Sequence, residues 1–257
     1  MNEALTGGRD NQIFRSGETV IRPSGAWSGA VFQLLEHLQK SGFEQAPQPL
    51  GFDENGNEIV SFISGEVSNY PLSDTAKSEE ALISAAKLLR AYHDTTASFI
   101  NAETLILPWM LPSREPAEVI CHGDFAPYNV VLNGNQAIGI IDFDTAHPAP
   151  RLWDIAYAVY RWAPLSDQHH AFIPNLVDQI RRTKLFCDSY NMPDSDRKEL
   201  VQMVLNRMIA FVDFMQAEAE NGNEKFIGDL RDGHHLIYLK DIDYLVKNQA
   251  QITLGLF

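Results

Sequence analysis

Cysteine is nearly absent. Two thiols, Cys121 and Cys187, stand far apart in 257 residues with no chelating or redox spacing. That argues against a disulfide-stapled scaffold and a clustered zinc site, and the expectation is a reduced, cytoplasmic protein. Long apolar runs are missing as well: none approaches the ~20 residues that cross a bilayer. Met1 to Asp10 carries acidic residues and two glycines where a signal peptide has a basic start and an apolar centre. Basic residues are scarce: 20 Lys and Arg stand against 34 Asp and Glu, for a net charge of −14. So acidic a surface repels phosphate backbones and anionic lipid, which disfavours nucleic-acid and membrane partners. It serves solubility, and it would tolerate a cationic substrate. There is no internal repeat or low-complexity tract, and 45% hydrophobic with 21% charged residues is ordinary globular composition.

The first quarter of the chain has strand texture cut by turn residues. Gln12 to Arg15 and Thr19 to Arg22 read as strands joined across Ser16-Gly17. Pro23 ends the second because it has no ladder donor. From Ala26 to Lys40 the period changes, with Ala30, Val31, Leu34, Leu35 and Leu38 at helical spacing and Gly42 placed as an αL cap. Pro49 to Phe52 and Glu58 to Ile63 follow as strands about a turn, so the segment predicts a ββαββ antiparallel unit. After Ser64-Gly65 helices dominate: Ser78 to Ile100, then Asp167 to Tyr190, Ser195 to Asn221 and Glu224 to Gln251.

The chemistry is concentrated between them. Val119-Ile120-Cys121 reads as a buried strand that leaves through His122-Gly123-Asp124 into a loop; Asn129 follows, then Val130-Val131-Leu132 as a strand. Asn133-Gly134 is a strong hairpin signal, and Ile138 to Ile141 returns to deliver Asp142 at its end. A hairpin brings the residues before its first strand close to those after its second, so Asp124, Asn129 and Asp142 should converge. Converging side-chain oxygens suit a hard cation such as Mg²⁺, which takes one or two protein oxygens and completes its shell with water and phosphates. Asp142 would be the main ligand and Asn129 would hold a second ion. Asp124 would then be free to accept or orient the proton of an attacking hydroxyl, the division of labour used in protein kinases. His122 reads as a structural hydrogen-bonder of the loop. Asp154 reads as a helix cap or loop clamp, and Asp144 either as a carboxylate behind the metal ligands or as part of a substrate rim.

His122-Gly-Asp124-Phe-Ala-Pro-Tyr-Asn129, followed by Ile140-Ile-Asp142-Phe-Asp144, resembles the signature of the aminoglycoside phosphotransferase and choline kinase family; Pro148 and Leu152-Trp153-Asp154-Ile155-Ala156 extend the likeness. The resemblance implies an α+β, two-lobed protein-kinase-like fold. Residues 1–64 would form a small antiparallel-sheet nucleotide lobe, and residues 65–257 a mostly helical lobe with the catalytic loop and substrate site. It also implies ATP or GTP as co-substrate with Mg²⁺, and a small-molecule hydroxyl acceptor, aminoglycoside-like or amino-alcohol. Such a fold needs a small-lobe cation for the nucleotide phosphates. Arg22, ending Thr19-Val20-Ile21-Arg22, holds the expected strand position, with a planar fork suited to phosphate. Phe62 and Ile63 lead into the Ser64-Gly65-Glu66 crossing and are the candidates beside the adenine. Gly7-Gly8 is a candidate phosphate-covering turn. The glutamate that would pair with the cation from the helix has no clear counterpart, since Glu36 lies too late in that helix. That gap, with arginine in place of lysine, keeps open an alternative: a nucleotide-binding pseudokinase or regulatory module without phosphoryl transfer. The His169-His170 and His234-His235 pairs are not metal candidates, because neighbours on a helix point about 100° apart.

Overall fold

The computed structural model describes residues 3–5, 12–167 and 175–257. The chain packs as two compact units, Met1–Asp154 and Ile155–Phe257. The boundary expected at residue 64 marks a change from strand to helix, whereas the packing divides at Asp154.

The first unit opens with five strands and one helix: β1 (Glu3–Ala4), β2 (Phe14–Ser16), β3 (Thr19–Arg22), α1 (Ser28–Lys40), β4 (Pro49–Phe52) and β5 (Glu58–Ser61). The strands form one antiparallel sheet in the order β1-β2-β3-β5-β4. The β2–β3 turn sits one residue later than its sequence signal. Ser16 pairs with Thr19, so Gly17-Glu18 is the loop, and Gly17 takes the left-handed φ of 63° that only glycine adopts freely. Ala30, Val31, Leu34, Leu35 and Leu38 are the buried stripe of α1, as their spacing predicts. Phe32 of α1 stacks on Phe52 of β4 with ring centroids 4.8 Å apart.

Next come α2 (Asp74–Lys77), α3 (Glu79–Thr96) and α4 (Ala102–Leu105). Helix α3 buries Leu82, Ala85, Ala86, Leu89, Tyr92 and His93 along one side, and Ser78 caps it by accepting the Ala81 N–H. Four short strands follow, β6 (Val119–Cys121), β7 (Val130–Asn133), β8 (Gln136–Ile140) and β9 (His147–Ala149). The β7–β8 hairpin forms as expected, with its loop again one residue late: Asn133 pairs with Gln136, and Gly134 at φ 53° leads the two-residue turn. Strand β9, which pairs with β6, has no clear sequence signal because Pro148 occupies its centre. A two-stranded pair offers edge positions, where proline is tolerated.

In the second unit lie the continuation of α5 (Arg151–Trp162), and α6 (Leu176–Tyr190), α7 (Asp194–Glu220), α8 (Glu224–Arg231) and α9 (His234–Leu254). The single helix expected over 224–251 is broken in two. Gly233 takes φ 80° between α8 and α9, a left-handed kink that an unbroken helix cannot contain. Asp241 is fully buried on α9, where it accepts the Tyr160 hydroxyl at 2.8 Å and the Asp167 N–H at 3.2 Å. His169-His170 and Gly7-Gly8 fall outside the described residues. His234 hydrogen-bonds Asp229 at 3.0 Å.

The segment joining sheet to helices is held against the hairpin. Glu66 and Leu132 exchange both backbone hydrogen bonds at 2.8 Å. A Cβ on Gly65 would lie 2.5 Å from Val131 Cγ1 and 2.7 Å from the Leu132 carbonyl oxygen. Gly65→Ala is therefore expected to lower unfolding stability by about 1–3 kcal/mol through overpacking; chemical denaturation checks it, and an unchanged midpoint would contradict this close approach.

Candidate functional site

Asp124 leaves β6 through a loop that three residues hold in shape. Asp154, fully buried, accepts the His122 N–H at 2.7 Å and the Gly123 N–H at 2.9 Å, and His93 Nε2 at 3.0 Å. Gly123 has φ 82°, and a Cβ there would collide with the Thr145 carbonyl oxygen, so the turn requires glycine. The His122 ring spans the site: Nδ1 accepts the Asp124 N–H at 3.3 Å, and Nε2 donates to the Ile141 carbonyl at 3.0 Å. Asp154 thus acts as a loop clamp.

Asn129 then locks Asp124 from the other side. Its side-chain amide donates to the Asp124 backbone carbonyl and to Oδ2, both at 2.9 Å. Asp124 Oδ1 accepts the Tyr128 hydroxyl at 2.7 Å. The Asn129 backbone carbonyl accepts the Ile141 N–H at 2.9 Å, which draws the end of β8, and with it Asp142, alongside the loop. Asp124, Asn129 and Asp142 therefore converge as the hairpin argument requires. Asp142 is the one described non-glycine residue besides Asn191 with positive φ, at 63°. Its side chain is 48% exposed, and that of Asp144 is 20% exposed.

Arg22 closes the arrangement. Its Nε donates to Glu58 at 2.6 Å, Nη1 lies 3.2 Å from Asp142 Oδ1, and Nη2 lies 2.9 Å from Asp144 Oδ1. Burial opposes the guanidinium charge; Asp144, Glu58 and Asp142 outweigh it and raise the pKa above the ordinary value. Glu58 is the partner that sequence reading missed. It stands opposite Arg22 in the β3–β5 register, is 1% exposed, and also accepts the Ser28 hydroxyl. The available signal was Glu58 on a buried position of an otherwise apolar alternation. Glu36, the acid on α1, instead pairs with Lys40 at the surface at 3.2 Å.

Phe62 and Ile63 diverge. The Phe62 ring lies under the Arg15 guanidinium, 3.7 Å from ring centroid to Cζ. Ile63 packs over Gly139 of β8, where a Cβ would meet its side chain at 2.9 Å. Both residues approach the crossing from one strand end on alternate sides.

His93 Nε2, Cys121 Sγ and an Asp154 oxygen also cluster, within 4.8 Å of one another and all buried. Asp154 is already committed to two backbone N–H groups and an imidazole, so the cluster is a hydrogen-bonded brace. Burial lowers the His93 pKa, leaving a neutral ring at pH 7. Burial alone would raise the Asp154 pKa. The hydrogen bonds from His93 and from the His122 N–H outweigh it and hold it at about 2.

The family model described as "Phosphotransferase enzyme family" matches residues 102–172. The trifolitoxin immunity protein of Rhizobium leguminosarum bv. trifolii is 34% identical over 208 residues, 78% of each chain. Among solved structures, a choline/ethanolamine kinase family protein from Mesorhizobium loti aligns with 100% of this chain and 92% of its own, at 14% identity and TM-score 0.64. The streptomycin–ATP–APH(2″)-IIa ternary complex aligns over 89% and 90%, at 15% identity and TM-score 0.54. These likenesses establish a kinase-like α+β fold. No helix of the described residues is long and apolar enough to cross a membrane.

An Asp held at about 2 against its ordinary 3.8 stabilises the fold fully above pH ~4, and that share disappears as pH falls towards 2. It amounts to about 2 kcal/mol. Asp154→Asn should be less stable than the parent at pH 7, and the gap should narrow as pH falls below 4; urea unfolding across that range tests it, and a pH-independent gap would refute the charged clamp.

Proposed function

We infer the activity from a family premise: the chain belongs to the phosphotransferase enzyme family, in which aminoglycoside phosphotransferases and choline and ethanolamine kinases are its structural neighbours. On that premise the protein is a small-molecule kinase that moves the γ-phosphoryl group of ATP or GTP to a hydroxyl. The observation that carries the reading is the convergence of Asp124, Asn129 and Asp142 under the Arg22 guanidinium.

Each group has a capacity fitted to the task. Arg22 commits three of its five N–H donors to Glu58, Asp142 and Asp144, which leaves two for phosphate oxygens. The Asn129 side-chain oxygen receives no hydrogen bond from any described residue, because the amide nitrogen makes both contacts to Asp124. With the exposed Asp142 carboxylate it forms an oxygen donor set suited to Mg²⁺, and Asp144 stands behind it. Magnesium, when bound, would neutralise charge on the transferred phosphate. Asp124, held on both oxygens, orients the acceptor hydroxyl and takes its proton. Val131, Gly65 and Ile63 border the strand crossing where the base would lie. Residues 1–64 supply the nucleotide lobe and residues 65–257 the catalytic loop and acceptor side.

The acceptor class follows less directly. A net charge of −14 favours an amino-bearing compound. The Rhizobium relative is named for immunity to trifolitoxin, so hydroxyl-bearing toxins belong in the screen beside aminoglycosides and amino-alcohols.

Thermal unfolding with ATP or GTP, each with and without Mg²⁺, is the first measurement. A magnesium-dependent rise in Tm is expected, and no shift at millimolar nucleotide would overturn the reading. Asp142→Asn should lose the magnesium-dependent part of the shift. Asp124→Ala should keep the shift and lose turnover by about a hundredfold or more. Binding with no transfer to any hydroxyl acceptor would identify the regulatory alternative, which arginine in place of lysine at position 22 favours.

A further inference from the structure

The Tyr128 hydroxyl is placed where an acceptor hydroxyl has to be. Tyr128 lies between the proposed base and the proposed metal-binding amide, on the single 3₁₀ turn Pro127–Asn129. Its O–H donates to Asp124 Oδ1 at 2.7 Å, while Asn129 takes Oδ2 at 2.9 Å. Asp124 thus has one oxygen fixed by the amide that positions it and the other satisfied by a phenol. A substrate hydroxyl that is to pass its proton to Asp124 must make the bond that Tyr128 now makes. The ring is steadied from outside by Tyr70, edge-on with centroids 6.1 Å apart, and Tyr70 is half exposed.

We propose that Tyr128 is a positioning residue that keeps the acceptor's place on Asp124 and excludes water from it until an acceptor displaces the phenol. The proposal rests on the reading of Asp124 as the group that orients the nucleophile. The physical case is a comparison of competitors. Water gains from Asp124 only one hydrogen bond, of about 1 kcal/mol net, and meets an intramolecular donor already in place. A bound acceptor has further contacts with the protein, and that additional binding offsets the loss of the phenol contact. Selection between acceptor and water therefore falls on a single oxygen.

The reaction guarded against is hydrolysis. The water oxygen bonds to the γ-phosphorus, the bond from that phosphorus to the β,γ-bridging oxygen breaks, and the electron pair leaves with the nucleoside diphosphate. The water proton passes to the Asp124 carboxylate. Tyr128→Phe keeps the ring against Tyr70 and removes only the oxygen, opening Oδ1 to water.

The test measures inorganic phosphate released from Mg²⁺-ATP and Mg²⁺-GTP without acceptor, beside nucleotide binding by thermal shift, for the parent, Tyr128→Phe and Tyr128→Phe/Asp124→Asn. Release from Tyr128→Phe should rise roughly three- to tenfold, with binding unchanged, and the rise should vanish in the double variant. A residue that merely shaped the loop would give a fall. Phosphate found on Tyr128 of the parent would also support the placement, since the phenol would itself have served as acceptor. Equal or lower release from Tyr128→Phe with nucleotide bound, or a rise that survives in the double variant, overturns the guard and leaves the phosphotransferase reading intact. Failure of all three proteins to bind nucleotide overturns that reading, and the guard with it.

Discussion

A carboxylate with no exposed surface must have its charge met by fixed donors, and Asp154 meets its own with the loop that carries Asp124. Two consecutive backbone N–H groups, His122 and Gly123, and one imidazole are spent on it. The consequence runs outward. The loop can turn only as Gly123 turns, the His122 ring is left aimed at the Ile141 carbonyl, and the strand ending in Asp142 is drawn to the same place. Position in this site is set by a buried anion, while the Asp142 and Asp144 carboxylates stay partly open.

Arg22 organises the opposite wall by the same physics with the sign reversed. A buried guanidinium among three carboxylates is held in one orientation, because its planar fork fixes where each donor points. Removing any one carboxylate would leave the others repelling less and the cation less restrained; removing the cation would leave Glu58 buried without compensation, the costly half of such a pair.

Much of this was legible beforehand where a local rule applies. The apolar stripes of α1 and α3, the β7–β8 hairpin, and the convergence of Asp124, Asn129 and Asp142 follow from period and turn chemistry alone. What escaped depends on partners distant in sequence or on a single backbone angle. Glu58 is an unremarkable acid until strand register puts it opposite Arg22. Tyr128 reads as a spacer until its hydroxyl is seen on Asp124. The break at Gly233 is hidden because helical spacing continues on both sides of it, and strand β9 is hidden by its proline. Phe62 and Ile63 could be named as neighbours of the crossing, but which one faces the hairpin is decided by pleat and not by composition.

The location of Glu58 changes how the site can be governed. In protein kinases the acid that steadies the phosphate-binding cation rides on the helix, so swinging that helix makes or breaks the site. Here the acid rides on the neighbouring strand, and among the described residues α1 hydrogen-bonds it through Ser28, the first residue of the helix. A lever that acts by displacing α1 finds little to pull. The cation is seated by the sheet itself, so its orientation is set with the β3–β5 register and needs no helix movement to complete it.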